Sequence, residues 1–318
     1  MNDTPHAETV FPALGTTWRI AVNPRLRLGG RALSSRSGTA VAGFEDAVAD
    51  SRHWLDEFVR EFSRWDDDSE VSKLSRTGGQ LRIPGYAKDM FRLYRDVHNA
   101  TGGDVSVLTG SSLASLGFTG DYTGSTNRLE DFAREDVATS VPAPTNDDFL
   151  AHLPVLAVRP GELIDIGAAG KGLAVDQVFN IVNDTIASTG KDTVLVDGSG
   201  DMKVRGGPIT VGLEDPRNTT MIIGSIELRD KALAASSPAR RRHGRWHHII
   251  SAITGEPVDH IQGVWTIADD CMTADMMATA LFFGLPQDLE KIADFSWLVM
   301  MENKLFRSEG FPEIQPPL

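Results

Sequence analysis

The sequence has almost no cysteine, since Cys271 is the only one among 318 residues. A single cysteine excludes a disulfide within the chain, and it excludes zinc or iron–sulfur sites that need several thiolates. Positive charge is also scarce, because 31 Lys and Arg stand against 44 Asp and Glu, a formal net charge of −13. This balance argues against nucleic acid and against an anionic membrane surface as binding partners.

Long hydrophobic runs are missing as well. The longest apolar run without a charged residue covers residues 276–285, about half of the roughly 20 residues that span a bilayer. The first 18 residues contain no basic segment followed by an apolar one, and no cysteine for a lipid anchor. With 41% hydrophobic residues, the composition is that of a globular protein, and we expect a cytoplasmic one without membrane insertion.

Apolar spacing predicts a mixture of helices and strands. Helices are predicted over residues 43–62, 86–101, 174–188 and 273–285. Strands are predicted over residues 16–22, 155–158, 163–166, 193–196, 209–213, 221–228 and 246–250. Residues 120–148 are interpreted as a variable polar region within a single domain, residues 1–318, whose core spans about 14–308. Because helices and strands do not alternate regularly, the order predicts an α+β fold with mixed sheets packed against helices.

The last predicted helix carries two polar side chains on an apolar surface. Asp275 and Thr279 lie four positions apart, so helical spacing puts them on the same side. A buried carboxylate and hydroxyl need partners, since leaving them unpaired costs roughly 1–3 kcal/mol each. A hard cation such as Mg²⁺ would satisfy both, because it prefers oxygen ligands. Alternatively, Asp275 only complements the helix N-terminus, and Thr279 bonds back to its own helix.

Two predicted strand ends run into glycine clusters, in residues 163–176 and 194–202. Glycines that follow a strand let backbone amides approach a phosphate closely, although a plain tight turn explains them equally well. The first cluster lacks the glycine spacing of the Rossmann motif, and Gly172 follows Lys171 where a P-loop needs Ser or Thr. A conventional NAD or ATP site is therefore not expected.

Seven segments, taken in order, resemble those of the ApbE-type FAD:protein FMN transferases. Residues 165–176 are similar to the family's Asp-Leu-Gly-Gly-Ile-Ala-Lys-Gly-Tyr-Ala-Val-Asp block, and residues 268–282 to its Ala-Asp-x-x-x-x-Ala-Asp-Ala-x-Ala-Thr-Ala-Leu-Phe block. The other similar segments are residues 15–18, 62–76, 197–201, 211–216 and 248–257. The resemblance covers most of residues 14–284, and it implies a T-fold-related α+β architecture in a single globular unit.

The resemblance also implies a Mg²⁺ ion that bridges the protein and the pyrophosphate of FAD. The implied metal ligands are the side chains of Asp275 and Thr279 and the backbone carbonyls of Ala278 and Gly170. The implied cofactor contacts are Leu14, Trp65, Asp104, Val105, Ser106, Gly167, Lys171, Leu173 and Ile249. Trp65 would stack on a flavin or adenine ring. His248 is the candidate for proton transfer near neutral pH, and Asp275 is the second implied catalytic residue.

The implied reaction is attack of a Ser or Thr hydroxyl of an acceptor protein on the FMN-side phosphorus of FAD, with AMP leaving. The acceptor would be a flavoprotein that carries this hydroxyl in an Asp-x-x-Ser/Thr-Gly-Ala-Thr-like segment. Two alternatives stay open at this point. Water could replace the acceptor, so that FAD is hydrolysed to FMN and AMP, or the chain could bind FAD without catalysis.

Several positions depart from the family's pattern. The family's Phe-Asp-Pro-Thr is replaced by Val105, Ser106, Val107 and Leu108, an Asn by Ser75, and an Asp-Pro pair by Ser251 and Ala252. Residues 234–237 replace its Ala-Thr-Ser-Gly. These exchanges remove polar side chains, so we expect them to weaken the orientation of the flavin more than the binding of the metal.

Overall fold

A computed structural model describes residues 6–24, 41–118, 140–146, 149–186, 192–243, 246–302 and 304–317. The helices are α1 (Phe44–Phe62), α2 (Glu70–Thr77), α3 (Lys88–Ala100), α4 (Gly110–Ser115), α5 (Gly170–Ile186), α6 (Cys271–Ala280) and α7 (Pro286–Leu289). The strands are β1 (Ala7–Ala13), β2 (Thr16–Val22), β3 (Gly79–Arg82), β4 (Val155–Val158), β5 (Val194–Asp197), β6 (Met202–Arg205), β7 (Ile209–Asp215), β8 (Asn218–Leu228), β9 (Ala232–Ser236), β10 (Arg242–His243), β11 (Trp246–His247), β12 (Ile261–Ala268), β13 (Phe295–Met301) and β14 (Lys304–Arg307).

Eight strands form a central sheet in the order β1-β2-β5-β6-β9-β12-β13-β14. Each neighbouring pair in this sheet is antiparallel. The pairs β3–β4, β7–β8 and β10–β11 form separate two-stranded sheets. The observed fold is therefore a mixture of sheets and helices, as the sequence predicts.

Both faces of the central sheet are buried. Along β2, Ile20 belongs to the larger core that contains the helices, whereas Ala21 belongs to a second core. Neighbouring side chains on a strand point to opposite faces, so the two cores lie on opposite sides of the sheet. The second core is closed by the β7–β8 pair and the C-terminal segment, through Leu213, Ile226 and Phe311.

Most of the predicted elements are confirmed, with shifted ends. The helix predicted over residues 43–62 is α1, and the strands predicted over residues 16–22 and 155–158 are β2 and β4. The strand predicted over residues 163–166 is wrong, because the Asp165 N–H donates to the Val107 carbonyl (2.7 Å) in an irregular segment. Helix α5 begins at Gly170 instead of residue 174, and α6 runs from Cys271 to Ala280 instead of over residues 273–285.

Three neighbouring strands of the central sheet, β9, β12 and β13, are absent from the sequence prediction. Strand β9 consists of Ala, Leu, Ala, Ala and Ser, and its first three residues are buried. Strand β12 is buried along nearly its whole length. Strands buried on both faces lose the alternation of apolar and polar residues that identifies a half-buried strand.

The polar region predicted at residues 120–148 lies mostly outside the described residues. Of its described part, Ala143 donates its N–H to the Ala252 carbonyl (2.7 Å). In the described parts of the chain, no helix has the length and apolar character needed to cross a membrane.

Candidate active site

A cavity of about 940 Å³ lies beside α1, α6 and the glycine segment that precedes α5. Its volume is within the range of small-molecule and cofactor sites, roughly 300–1,000 Å³. All but two of the residues predicted for the site line this cavity. The lining residues among them are Leu14, Trp65, Asp104, Val105, Ser106, Gly167, Gly170, Lys171, His248, Ile249, Asp275 and Thr279. The other two, Leu173 and Ala278, have buried side chains in the larger core. The structure thus brings the predicted residues together, while their roles stay predictions.

Helices α5 and α6 approach each other so closely that no side chain fits between them at one point. A Cβ atom built on Gly172 would lie 2.3 Å from the carbonyl oxygen of Cys271 and 2.8 Å from the Cβ of Asp275. Because the first obstacle is backbone, it has little freedom to move away. Glycine at position 172 therefore allows the N-terminal turns of both helices to meet beside the cavity.

Each of these two helices supplies a carboxylate to the N-terminus of the other. Asp275 of α6 accepts a hydrogen bond from the N–H of Gly172 in α5 (2.9 Å). Asp176 of α5 accepts hydrogen bonds from the N–H groups of Cys271 (3.0 Å) and Met272 (2.9 Å), which open α6. First-turn amides have no partner within their own helix, and negative charge is favourable at that end. The exchange therefore fixes the two helix ends relative to each other.

Replacing Asp176 with alanine is expected to lower the free energy of unfolding by about 2–4 kcal/mol. The change removes the acceptor of two α6 amides, and it takes the carboxylate partner from Lys203, whose Nζ lies 2.7 Å away. Chemical denaturation measures the difference. The matched control is Asp269→Ala, which removes an exposed carboxylate paired with Lys231 and should cost far less. Equal losses for the two variants would contradict the capping role.

Lys171, Asp201 and Asp275 form a buried charge cluster at the cavity wall. Lys171 forms an ion pair with Asp201, whose side chain is only 1% exposed. Burial raises the pKa of Asp275 well above its usual range, and the neighbouring Asp201 carboxylate raises it further. Burial lowers the pKa of Lys171, but the charges of Asp201 and Asp275 together raise it above its ordinary value. Two carboxylates thus share one ammonium group, and a cation bound at Asp275 would offset the excess negative charge.

The side chains around Asp275 suit a hard cation. Thr279 follows Asp275 by one turn of α6 and lines the same cavity. Within the described ranges, no group of three or more His, Cys, Asp or Glu side chains is placed to hold a metal ion. A cation at Asp275 would therefore complete its coordination with hydroxyl, backbone-carbonyl and ligand oxygens, which is the set that Mg²⁺ accepts.

The ends of α5 and α6 contain the two backbone carbonyls that are predicted to bind such a cation. The amide of Phe282 donates to the Thr279 carbonyl (3.1 Å) rather than to Ala278 four residues back, which favours the predicted Ala278 carbonyl as a ligand. Gly170 is the first residue of α5 and lines the cavity, so its carbonyl stays the second predicted backbone ligand.

Some of the altered family positions line the cavity directly, namely Val105, Ser106 and residues 235–237, whereas others lie behind it. Ser251 does not line the cavity, but its hydroxyl donates to the Asp104 carboxylate (2.5 Å), which does. Val107 and Leu108 are buried in the larger core, and Ser75 lies on α2. The expected weakening of flavin orientation would act through Asp104 at Ser251, and through a changed cavity lining at Val105 and Ser106.

His248 lines the cavity, whereas the neighbouring His247 is fully buried. The Nδ1 atom of His247 accepts a hydrogen bond from the N–H of Ile249 (3.2 Å). The strand predicted over residues 246–250 is limited to β11, so His248 lies directly after the strand. His248 is therefore the member of the pair that can contact a ligand.

Sequence reasoning missed several residues that build the site. They are Arg64, Tyr94, Asp165, Ala168 and Asp201. Asp201 belongs to the second glycine cluster, but the spacing of the glycines gives no indication that this carboxylate is buried. The hydroxyl of Tyr94 accepts the N–H of Ala168 (3.1 Å) across 74 positions of sequence, and no local pattern indicates such a contact.

Comparison with known proteins gives one family. The sequence profile of the ApbE family matches residues 14–298. A curated relative, the FAD:protein FMN transferase of Klebsiella pneumoniae (strain 342), is 29% identical over 134 residues. This match spans 40% of the chain and 41% of the relative, which is less than half of either protein.

Three solved structures share the fold over nearly the whole chain. The ApbE protein of Thermotoga maritima MSB8 is 24% identical, with a TM-score of 0.70 and coverage of 96% of this chain and 97% of that one. The flavin transferase ApbE of Vibrio cholerae is 19% identical, with a TM-score of 0.68 and coverage of 96% and 98%. The flavinyl transferase ApbE of Pseudomonas stutzeri is 16% identical, with a TM-score of 0.66 and coverage of 97% of each chain. Since the family profile spans most of the sequence and the fold agrees with it, the chain belongs to the ApbE family.

Proposed function

We propose that the chain transfers the FMN part of FAD to a Ser or Thr hydroxyl of an acceptor protein and releases AMP. The observation that carries the proposal is the Asp275–Thr279 pair, which lines a cavity of about 940 Å³ at the meeting point of two helix N-termini. Membership of the ApbE family supports it, as does the activity named for the Klebsiella relative.

The pyrophosphate of FAD needs local positive charge in a protein with a net charge of −13. The first turn of α5 lines the cavity through Gly170 and Lys171, and it provides the positive end of a helix dipole there. The Lys171 ammonium lies at the same wall, but Asp201 and Asp275 already share its charge, so a bound cation would have to supply the rest. Mg²⁺ held by Asp275, Thr279 and the carbonyls of Gly170 and Ala278 would act as a Lewis acid on the pyrophosphate oxygens.

The transfer itself forms one bond and breaks one. The acceptor oxygen bonds to the FMN-side phosphorus, while the bond from that phosphorus to the bridging oxygen breaks and AMP leaves with that oxygen. The hydroxyl proton must pass to a base. We assign this role to His248, because it lines the cavity and imidazole suits proton transfer near neutral pH.

The ring systems of FAD would be held by the apolar part of the cavity. Trp65 provides an indole surface for stacking, and Leu14, Val105 and Ile249 provide aliphatic contacts. Aromatic stacking contributes about 0.5–1.5 kcal/mol beyond the area buried. Phosphoryl transfer depends on the positions of the reacting groups. The apolar contacts with the rings would therefore hold the FMN-side phosphorus close to the metal, and they would take no part in the reaction itself.

Chromatography of FAD incubated with the protein and Mg²⁺ tests this proposal. We expect AMP to form only when an acceptor with an Asp-x-x-Ser/Thr-Gly-Ala-Thr-like segment is present. Formation of AMP at the same rate without an acceptor would indicate hydrolysis. Intact FAD under both conditions, together with tight binding, would indicate a non-catalytic FAD-binding protein. Either of these two results contradicts the proposed transfer.

Replacing Thr279 with valine is expected to raise the Mg²⁺ concentration needed for half-maximal activity by roughly tenfold or more. Valine keeps the shape of threonine but lacks the hydroxyl oxygen that would bind the cation. A Mg²⁺ titration of AMP release measures the shift, and Thr279→Ser, which keeps the hydroxyl, should restore most of the affinity. If valine and serine gave the same titration curve, Thr279 would not be a ligand.

A further inference from the structure

We propose that Arg64 is a positioning residue that holds the Trp65 indole and the glycine segment before α5 as one unit, and so sets the affinity for the stacked ring of FAD. The inference rests on the proposed function, because it takes FAD as the ligand of the cavity. Arg64 itself lines this cavity together with Trp65 and Asp165.

The contacts of Arg64 fix its guanidinium in one plane. Its central carbon lies 3.4 Å from the centroid of the Trp65 ring, which is a stacking distance. Its Nε forms an ion pair with Asp165, and one terminal nitrogen donates to the Phe118 carbonyl (2.8 Å). The Arg64 side chain is only 7% exposed and that of Asp165 is 14% exposed. Both charged groups are thus largely shielded from water. In such an environment, hydrogen bonds and ion pairs between charged groups are stronger than on the protein surface.

The same contacts connect three segments that are distant in sequence. Arg64 and Trp65 lie between α1 and α2, and Phe118 lies after α4. The Asp165 carboxylate accepts the N–H of Gly167 through its other oxygen (2.6 Å). Movement of Arg64 would therefore loosen the indole and the glycine segment together.

Lysine could not replace arginine in this arrangement. The guanidinium is planar, so it can stack on an indole while its edge donates to a carboxylate and a carbonyl. A lysine ammonium at position 64 could keep the charge pair with Asp165, but it has no plane to stack with. Arg64→Lys therefore separates the planar contact with Trp65 from the charge contact with Asp165.

Arg64→Lys is expected to weaken FAD binding by about tenfold, because one stacked and desolvated cation–aromatic contact is lost. Titration of FAD fluorescence measures the affinity, and the brightness of bound FAD reports how closely the flavin stacks on the indole. FMN and AMP, used as separate probes, show which ring is affected. We expect the loss for one of them only, and an equal loss for both would contradict a role through a single stacking surface.

A double-mutant cycle with Trp65→Leu decides whether Arg64 acts through Trp65. If it does, Arg64→Lys should change FAD affinity by less than about twofold once the indole is absent. Independent, additive effects of the two substitutions would overturn the inference. The matched control is Arg52→Lys, because Arg52 lies over the Phe11 ring (4.6 Å) and does not belong to the cavity lining. It should leave FAD affinity unchanged, whereas a loss as large as that of Arg64→Lys would also overturn the inference.

The outcomes separate this inference from the proposed function. Tight FAD binding without any release of AMP would contradict the proposed transfer, and a non-additive cycle in the same protein would still support the role of Arg64. Normal transfer with an additive cycle would contradict the role of Arg64 and leave the proposed transfer standing.

Discussion

Replacing Asp275 with asparagine is expected to reduce Mg²⁺-dependent release of AMP from FAD by at least about 100-fold. Asparagine keeps a side-chain oxygen that can accept the N–H of Gly172, which lies 2.9 Å from the native carboxylate. The negative charge is lost, however, and Asp201 stays paired with Lys171. Little charge then remains to attract a divalent cation. Rates of AMP release over a Mg²⁺ titration measure the effect.

The control for this variant lies on the same helix. Asp270 is the N-cap residue of α6, and its carboxylate accepts the N–H of Thr273 (2.7 Å). Asparagine caps a helix about as well as aspartate, so Asp270→Asn should keep a nearly normal rate. Normal activity of Asp275→Asn, or an equal loss for Asp270→Asn, would contradict the assignment of the metal to Asp275.

Gly172→Ala is expected to destabilise the fold by about 3 kcal/mol or more and to abolish FAD binding at the cavity. Alanine normally favours a helix over glycine by up to about 1 kcal/mol, so intrinsic propensity predicts the opposite sign. The new methyl group would meet the Cys271 carbonyl oxygen at 2.3 Å. Helices α5 and α6 would have to separate, and Asp275 would lose its bond to the Gly172 N–H. Thermal unfolding and FAD titration measure the two effects.

Gly85 offers the matched position for this experiment. A Cβ atom built on Gly85 meets nothing within 4 Å, so Gly85→Ala should change the free energy of unfolding by less than about 1 kcal/mol. If Gly172→Ala were as stable and as active as Gly85→Ala, the close packing of the two helices would not be needed for the site.

Local periodicity explains how far the fold could be predicted. Helix α1 was predictable because Phe44, Leu55, Phe58 and Phe62 repeat on one buried side. Strand β9 was not predictable from periodicity. It pairs with β6 on one side and with β12 on the other, and its small residues do not alternate between apolar and polar. The early start of α5 was missed for a similar reason. Gly170 and Gly172 disfavour a helix by propensity. The approach of α6 explains the glycine at position 172, and the Ile166 side chain leaves no room for a Cβ atom at position 170.

The site likewise contains residue pairs that local sequence spacing predicts and pairs that only the fold brings together. Asp275 and Thr279 share one helix, so their spacing alone indicates that they lie together. Arg64 and Asp165 are 101 positions apart in the sequence. Lys171 lies at the start of α5 and forms an ion pair with Asp201, which lies in the turn between β5 and β6. Contacts of this kind arise from the fold and leave no periodic pattern in the sequence.

Intact-mass spectrometry of an acceptor protein tests the proposed transfer most directly. The acceptor should carry the Ser/Thr-containing segment, and a matched acceptor should have alanine in place of that hydroxyl residue. After incubation with the chain, FAD and Mg²⁺, we expect the first acceptor to gain the mass of one FMN phosphoryl unit and the second to stay unchanged. Removal of Mg²⁺ with EDTA should prevent the gain. An unmodified acceptor in the presence of the folded, FAD-bound chain and Mg²⁺ would contradict the account.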